Sequence, residues 1–255
     1  MKKYIFLILL LSILLLPSCL VKKDPLLEIR RIARSSDLKN KEEASELYKE
    51  AIDTMVEAYI SLGSLNKAIG EKLMLQQYYE KAIEHLEMAR EIRTEDANIY
   101  FWLGVCYVNL YKNGNDNSYL EKAENSYQTA IKLLPGYMDA LYSYAQLLFY
   151  AKEDYEKTVE ILNEYLYGLS PKSKELKKAM ENSGEDTSTF VNPKINNPDI
   201  NAYFLLGRAY YMLQDYKSAY DTYQKIYSYK NKLTNEEKSK LDEFILETSR
   251  LINGE

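Results

Sequence analysis

Along most of the chain, apolar residues recur three, four and seven positions apart, with Lys, Glu, Asp and Asn between them. That spacing gathers the apolar side chains on one face of an α-helix and leaves the charges on the other. Nine Gly and six Pro in 255 residues provide few breaks, so the chain reads as mostly helix. Two stretches depart from the pattern. Tyr4 to Leu16 is apolar on every side apart from Ser12, and Asn182 to Asn197 is polar and punctuated by Pro193 and Pro198.

The helical stripes repeat. Gly70 and Gly104 are 34 residues apart in similar surroundings. One copy reads Tyr100-x2-Leu103-Gly104-x2-Tyr107, then Ala123-x3-Tyr127-x2-Ala130-x4-Pro135. Another reads Tyr203-x2-Leu206-Gly207-x2-Tyr210, then Tyr216-x2-Ala219-x3-Tyr223-x2-Ile226. A third has Ile69-Gly70-x2-Leu73, then Tyr79-x2-Ala82-x3-Leu86-x2-Ala89. The most divergent has Leu141-x2-Tyr144-Ala145-x2-Leu148, then Tyr155-x2-Thr158-x3-Leu162-x2-Tyr165. Gly or Ala at 70, 104, 145 and 207 lets two helices approach closely, and Ala82, Ala123 and Ala219 do the same from the partner helix. Tyr127 and Tyr223 fill gaps against the neighbouring unit.

These motifs resemble the tetratricopeptide repeat (TPR), a 34-residue helix-turn-helix unit. The resemblance implies an all-α solenoid of about four repeats over residues 41–255, with capping helices. Two intervals exceed the period. Ala82 to Ala123 is 41 residues, which places seven extra near 111–120; Lys112 to Asn117 there reads as a solvated loop, since it lacks the alternating acidic ligands of a calcium loop. Thr158 to Ala219 is 61 residues, which places 27 extra near 170–198, with Lys174 to Met180 as a short helix. Ala51, Met55 and Ala58 repeat the second-helix spacing, so residues 41–62 read as half of a degenerate repeat. Thr234-Asn235-Glu236-Glu237 is a capping box opening a terminal helix through about Ile252.

The N-terminus carries an address. Lys2 and Lys3 precede the 13-residue apolar run, which is too short for the roughly 20 residues of a bilayer-spanning helix. Leu16-Pro17-Ser18-Cys19 resembles a bacterial lipobox, with Pro17 departing from the usual small residue. The resemblance implies that residues 1–18 are removed, that Cys19 is lipidated, and that residues 19–40 form a tether to the membrane. The other reading is an ordinary signal peptide with an incidental Cys19. Leu20 stands where Asp would mark inner-membrane retention, which favours the outer membrane of the bacterial envelope. Lys22, Lys23, Arg30, Arg31 and Arg34 suit anionic headgroups beside the anchor, and equally a plain tether.

Composition narrows the chemistry. The net charge of −5 moves to −7 once Lys2 and Lys3 are lost, which argues against nucleic acid as a partner. One His and two Cys exclude zinc clusters and a disulfide framework. No phosphate-binding Gly loop or nucleophile elbow is present, His85 reads as a half-exposed helical residue, and Cys106 as a buried small one. The expectation is therefore no catalytic residue, no metal and no cofactor.

Binding is the remaining question. In TPR proteins the first helix of each unit lines a concave groove. Carried over here, the groove residues are Phe101, Val105 and Val108; Tyr142, Gln146 and Phe149; and Phe204, Arg208 and Tyr211. The Gly70 unit adds Lys67, Glu71 and Met74. Phe101, Tyr142 and Phe204 fall at one level, suiting an extended peptide or partner helix, with Gln146 and Arg208 fixing polar ends. Alternatively, insertions or end helices fill the groove and these aromatics are core. The favoured function is a non-catalytic, lipid-anchored scaffold docking a protein partner in an envelope complex. The alternative resembles the TPR lipoproteins that accompany TRAP transporters, with the groove enclosing an apolar small molecule.

Overall fold

The structure, a computed structural model, describes residues 26–168, 178 and 199–254. The proposed signal segment, Cys19 and nearly all of the 170–198 insertion lie outside the described residues. The described residues contain no strand. Contacts divide the chain into two compact units, Met1–Leu62 and Gly63–Glu255.

In the first unit, α1 (Leu27–Ala33) packs Ile29 and Ile32 against Ala44, Leu47, Tyr48 and Ala51 of α2 (Leu38–Leu75). The α2 helix is continuous for 38 residues, and the boundary between the units falls inside it. Residues 41–62 are therefore no separate half-repeat, which corrects the expectation from Ala51, Met55 and Ala58. No Pro interrupts the stretch, and Gly63 and Gly70 stay helical at close contacts. A Cβ on Gly63 would lie 2.7 Å from Ile92, and one on Gly70 2.6 Å from Leu86.

The second unit is built of helical hairpins. The C-terminal part of α2 pairs with α3 (Tyr79–Ile92), and α4 (Ala97–Gly114) with α5 (Asn117–Leu133). Next, α6 (Met138–Leu147) and a π-helical segment (Leu148–Lys152) pair with α7 (Tyr155–Tyr167). Finally α8 (Ile200–Met212) pairs with α9 (Tyr216–Tyr227), and α10 (Asn235–Asn253) closes the end. Each helix from α4 onward packs on the next one described, so α5 meets α6, α7 meets α8 and α9 meets α10.

One device turns every hairpin. Gln77, Asn115, Glu153 and Gln214 each take positive φ, from 54° to 65°, which reverses the chain within two or three residues. In three of the four, the next residue is an Asp that caps the second helix: Asp116 accepts from the amide of Ser118, Asp154 from Lys157 and Asp215 from Ser218. Asp96 and Asp199 cap α4 and α8 in the same way. Thr234 and Glu237 form the reciprocal capping box at α10.

The seven-residue insertion does not form a loop. Seven residues make about two helical turns, and they are shared: α4 continues to Gly114 and α5 begins at Asn117, leaving Asn115 and Asp116 as the connection. The stripe keeps its phase, so Tyr107 and Tyr119 in the lengthened arms stack at 6.1 Å. The third hairpin carries a smaller irregularity. Gly70 to Tyr79 and Gly207 to Tyr216 are both nine residues, whereas Ala145 to Tyr155 is ten. The extra residue is absorbed by widening the last turn of the helix into the π segment.

The core follows the repeat. Leu86, Ile99, Leu103, Cys106, Tyr127, Tyr144 and Leu148 pack the first three hairpins, and Leu141, Leu162, Tyr165, Leu205 and Leu206 join the third to the fourth. Tyr223, Ile226, Leu233 and Leu241 join the fourth hairpin to α10. A Cβ on Gly104 would come within 2.5 Å of the Tyr127 ring and one on Gly207 within 2.4 Å of Tyr223, so each glycine is what admits its tyrosine.

Candidate functional site

The groove residues expected from the sequence lie on the first helix of successive hairpins: Phe101 and Val105 on α4, Tyr142 and Gln146 on α6, Phe149 in the π segment, and Phe204, Arg208 and Tyr211 on α8. They differ in what they touch. Phe101 is half-buried, 5.2 Å from the Tyr137 ring and 6.2 Å from Tyr127, and Val105 packs on the same cluster. Tyr142 stacks on Tyr165 at 5.3 Å. Phe204 sits 6.4 Å from both Tyr223 and Phe244. The Tyr211 hydroxyl donates to Glu247 of α10 at 2.6 Å. Thus Phe101, Tyr142 and Phe204 share a level in the repeat, yet each ring packs within its own surroundings. At the last hairpin, α10 packs against Phe204 and Tyr211.

One place joins two hairpins through groove residues. Arg208 lays its guanidinium over Phe149 at 4.8 Å and over Tyr150 at 5.6 Å, and donates to the Tyr150 hydroxyl at 3.2 Å. Phe149 is buried beneath, its ring edge-on to Tyr150 at 4.9 Å and to Tyr155 at 5.3 Å. Arg208, Tyr150 and Gln146 are exposed. A guanidinium stacked this way keeps its charge and an edge of N–H donors directed outward, in a geometry suited to a carboxylate. Among the described residues no carboxylate lies within ion-pair distance of it. Tyr150 is absent from the set expected from the family pattern, because the extra residue in the π segment moves it out of the regular phase. The ten-residue interval from Ala145 to Tyr155 is the signal that could have found it.

The π segment is anchored from the preceding hairpin. Glu124 on α5 pairs with Lys152 at the segment's end and, at 3.1 Å, with Lys157 of α7, and it accepts from the Tyr144 hydroxyl at 2.8 Å. Gln128 donates to the same tyrosine at 2.7 Å. Burial pushes the Glu124 carboxyl up, but hydrogen bonds from Lys152, Tyr144 and Lys157 outweigh it and hold the group below its ordinary value. A second cluster joins the first two hairpins: Asp96 accepts from Lys67 at 2.7 Å and from Arg93 at 3.1 Å, and Lys67 also lies 5.4 Å from the Trp102 ring. Burial opposes ionisation of Asp96, and those two cations prevail. Lys67, expected in the groove, is thus held by Asp96.

Other candidate chemistry is tied into packing. His85 is half-buried, with Nδ1 2.8 Å from Oδ1 of Asn66. Burial pushes the Cys106 thiol up to about 12, which keeps it protonated and unreactive at neutral pH. Among the described residues no three His, Cys, Asp or Glu side chains gather where they could hold a metal ion.

Antiparallel hairpins repeating near 34 residues, a small residue on the first helix against Tyr or Leu on the second, and each hairpin stacked on the next define the architecture. This is a tetratricopeptide-repeat fold. No family model matches the sequence, and no curated protein matches it. Among solved structures, a MamA fragment from Desulfovibrio magneticus RS-1 is similar at 16% identity, over 76% of this chain and 97% of that one, with a TM-score of 0.49. Another MamA crystal structure shares 19% identity over 76% and 99% of the two chains, with a TM-score of 0.42. The P58(IPK) TPR domain shares 15% identity over 89% and 73%, with a TM-score of 0.36. The fold of this chain rests on the pairing of its own helices.

Proposed function

We propose that this chain is a non-catalytic, lipid-anchored scaffold of a bacterial envelope complex, and that it docks a protein segment across the third and fourth hairpins. The observation that carries the reading is Arg208, held over Phe149 and Tyr150 with an exposed cationic edge and no carboxylate partner among the described residues. Gln146, one helical turn before Tyr150 on the same helical arm, offers amide donors and acceptors beside it. Apolar shelf, cation and amide together suit an extended peptide or a helix presenting an acidic side chain. A site enclosing an apolar small molecule draws no support from the packing, since Phe101, Tyr142, Phe149 and Phe204 are each packed against neighbouring rings.

The test places a photo-crosslinking residue at Gln146 of the full chain in intact membranes. The expected result is a crosslink to one protein, reduced about tenfold or more by Arg208→Gln with unchanged far-UV circular dichroism. Crosslinks to lipid alone, or a protein adduct indifferent to Arg208→Gln, would overturn the docking site. The anchor is tested separately: a Cys19→Ser chain should lose both processing and detergent-phase partitioning. Retention of both would show that the membrane attachment lies elsewhere.

A further inference from the structure

The third helical arm, α6 with its π segment, shows little of itself to solvent. Between Met138 and Tyr150 only Asp139, Gln146 and Tyr150 are exposed. They stand seven and four residues apart, so they form one stripe along the arm. Tyr150 ends that stripe at Arg208 of α8, which donates to its hydroxyl at 3.2 Å. Asp139 begins it, on the order of 16 Å away along the helix axis. Among the described residues, Arg208 has no carboxylate within ion-pair distance and Asp139 has no cation.

The third and fourth arms run in the same direction. Near their N-terminal ends, Tyr142 of α6 stacks on Tyr165 at 5.3 Å, and the Tyr165 hydroxyl donates at 2.7 Å to Asp199, the cap of α8. Near their C-terminal ends, Arg208 meets Phe149 and Tyr150. Parallel arms therefore place the carboxylates of Asp139 and Asp199 at one end of the site and the guanidinium of Arg208 at the other. The tyrosines at the acidic end register that field. Burial, and after it the charges of Asp139, Asp96 and Glu71, push the Tyr137 hydroxyl up. Burial, then Asp199 and more weakly Asp139, do the same to Tyr165. Both α6 and α8 pack on α7, which leaves a furrow between them. A single side chain, Arg208, reaches across its C-terminal end, whereas a helix with its side chains is about 10–12 Å wide. An extended chain is the occupant that fits.

We propose that the segment docked at Arg208 is an extended chain bearing charges of both signs, with an acidic side chain on Arg208 and a Lys or Arg on Asp139. This rests on the docking reading above and adds the partner's charge pattern and its register on the stack. Five residues of extended chain cover about 16 Å, which matches the interval between the two charges of this protein. Between them, Gln146 has an amide to bond the backbone of the segment. A wholly acidic segment is a poor occupant, because it would set like charge against Asp139 and Asp199. A wholly basic one would meet Arg208. Both ends of the site are exposed, so the two ion pairs select the partner and fix its register more than they tighten binding.

The test keeps the photo-crosslinking residue at Gln146 of the full chain in intact membranes and varies Asp139. Asp139→Lys should lower the protein adduct about tenfold or more, and Asp139→Asn about threefold. Asp139→Glu should stay close to the parent, with far-UV circular dichroism unchanged in all three. Mass spectrometry of the adduct should find an acidic and a basic residue about five positions apart on either side of the attachment point. An adduct that falls with Arg208→Gln yet holds or rises with Asp139→Lys would overturn the two-sign segment and leave the docking site standing. A crosslinked segment with acidic charges alone would do the same, as would a loss with Asp139→Glu as large as with Asp139→Lys. An adduct to lipid alone, or one indifferent to Arg208→Gln, would overturn the docking site and this inference with it.

Discussion

At the scale of single residues, the 25 tyrosines of this chain divide by what their hydroxyls do. Tyr127 and Tyr223 hold equivalent positions, each ring pressed against a glycine of the partner helix. The Tyr127 hydroxyl has the Ser143 side chain of the next hairpin beside it, whereas that of Tyr223 is buried without a hydrogen-bond partner, its ring stacked on Phe244 at 5.1 Å. A buried hydroxyl left unbonded costs about 1–3 kcal/mol. Tyr223→Phe should therefore stabilise the protein by about 1 kcal/mol, while Tyr127→Phe should be neutral or destabilising; urea denaturation of the pair checks the contrast, and equal shifts would defeat it. The ring positions were legible in the sequence because they recur with the repeat, but the fate of each hydroxyl was not, since it depends on which side chain the following helix supplies. Glu124 gives a second residue-scale prediction. Its folded-state carboxyl is held below the ordinary 4.5, so its contribution is present above that value and is lost as pH falls through the lower folded value. Thermal stability should decline in acid below about pH 4.5. Glu124→Gln should cost about 1–2 kcal/mol at pH 7, and the difference from the parent should shrink as acid protonates Glu124 in the parent; a constant difference down to pH 3 would rule this out.

At the scale of elements, helix phase decides which insertions are harmless. The seven extra residues of the second hairpin close two whole turns, so α4 and α5 lengthen without turning their stripes, and Lys112 to Asn117 became helix ends where the polar composition had suggested a loop. A single extra residue cannot be absorbed that way, because it rotates everything after it by about 100°. The third hairpin instead takes up that residue in the π segment, keeping Leu162 in the core and Tyr155 packed against it, while Tyr150 is turned outward, where Arg208 finds it. The Ala145 copy looked merely divergent in sequence; its irregularity is local, and the candidate site is built on it. Deleting Ala151 should return the interval to nine residues and the segment to α-helix. The expected cost is about 1–2 kcal/mol, mostly from the Arg208 shelf and the Lys152–Glu124 pair. The Arg208 side-chain resonances should lose their ring-current shifts, and the Gln146 crosslink should fall. Unchanged Arg208 shifts in the deletion variant would show that the π turn does not position the site.

At the scale of the second unit as a whole, each hairpin is buried mainly by its neighbours, so stability should be distributed as in a one-dimensional array. The sequence announced the end of that array through the capping box at Thr234, but not how α10 closes it. Leu241 of α10 is completely buried beside Tyr223, Phe244 stacks on the same ring, and Glu247 takes the Tyr211 hydroxyl bond. The helix thus stands where the first helix of another repeat would stand, and its outer face is charged. Ending the chain after Leu233 removes all three contacts; the apolar burial of Leu241 and Phe244 alone amounts to about 3–5 kcal/mol. In a nearest-neighbour array that loss falls first on α8 and α9, whose amides should exchange far faster in the truncated chain. The α4–α5 pair, buried by hairpins on both sides, should keep nearly all its protection. Because hairpin four supplies Arg208, partner crosslinking should disappear while most of the helical signal survives. A truncated chain that loses protection evenly from α4 to α9 would instead mean that the unit folds as one cooperative block, with α10 stabilising the candidate site no more than any other part of it.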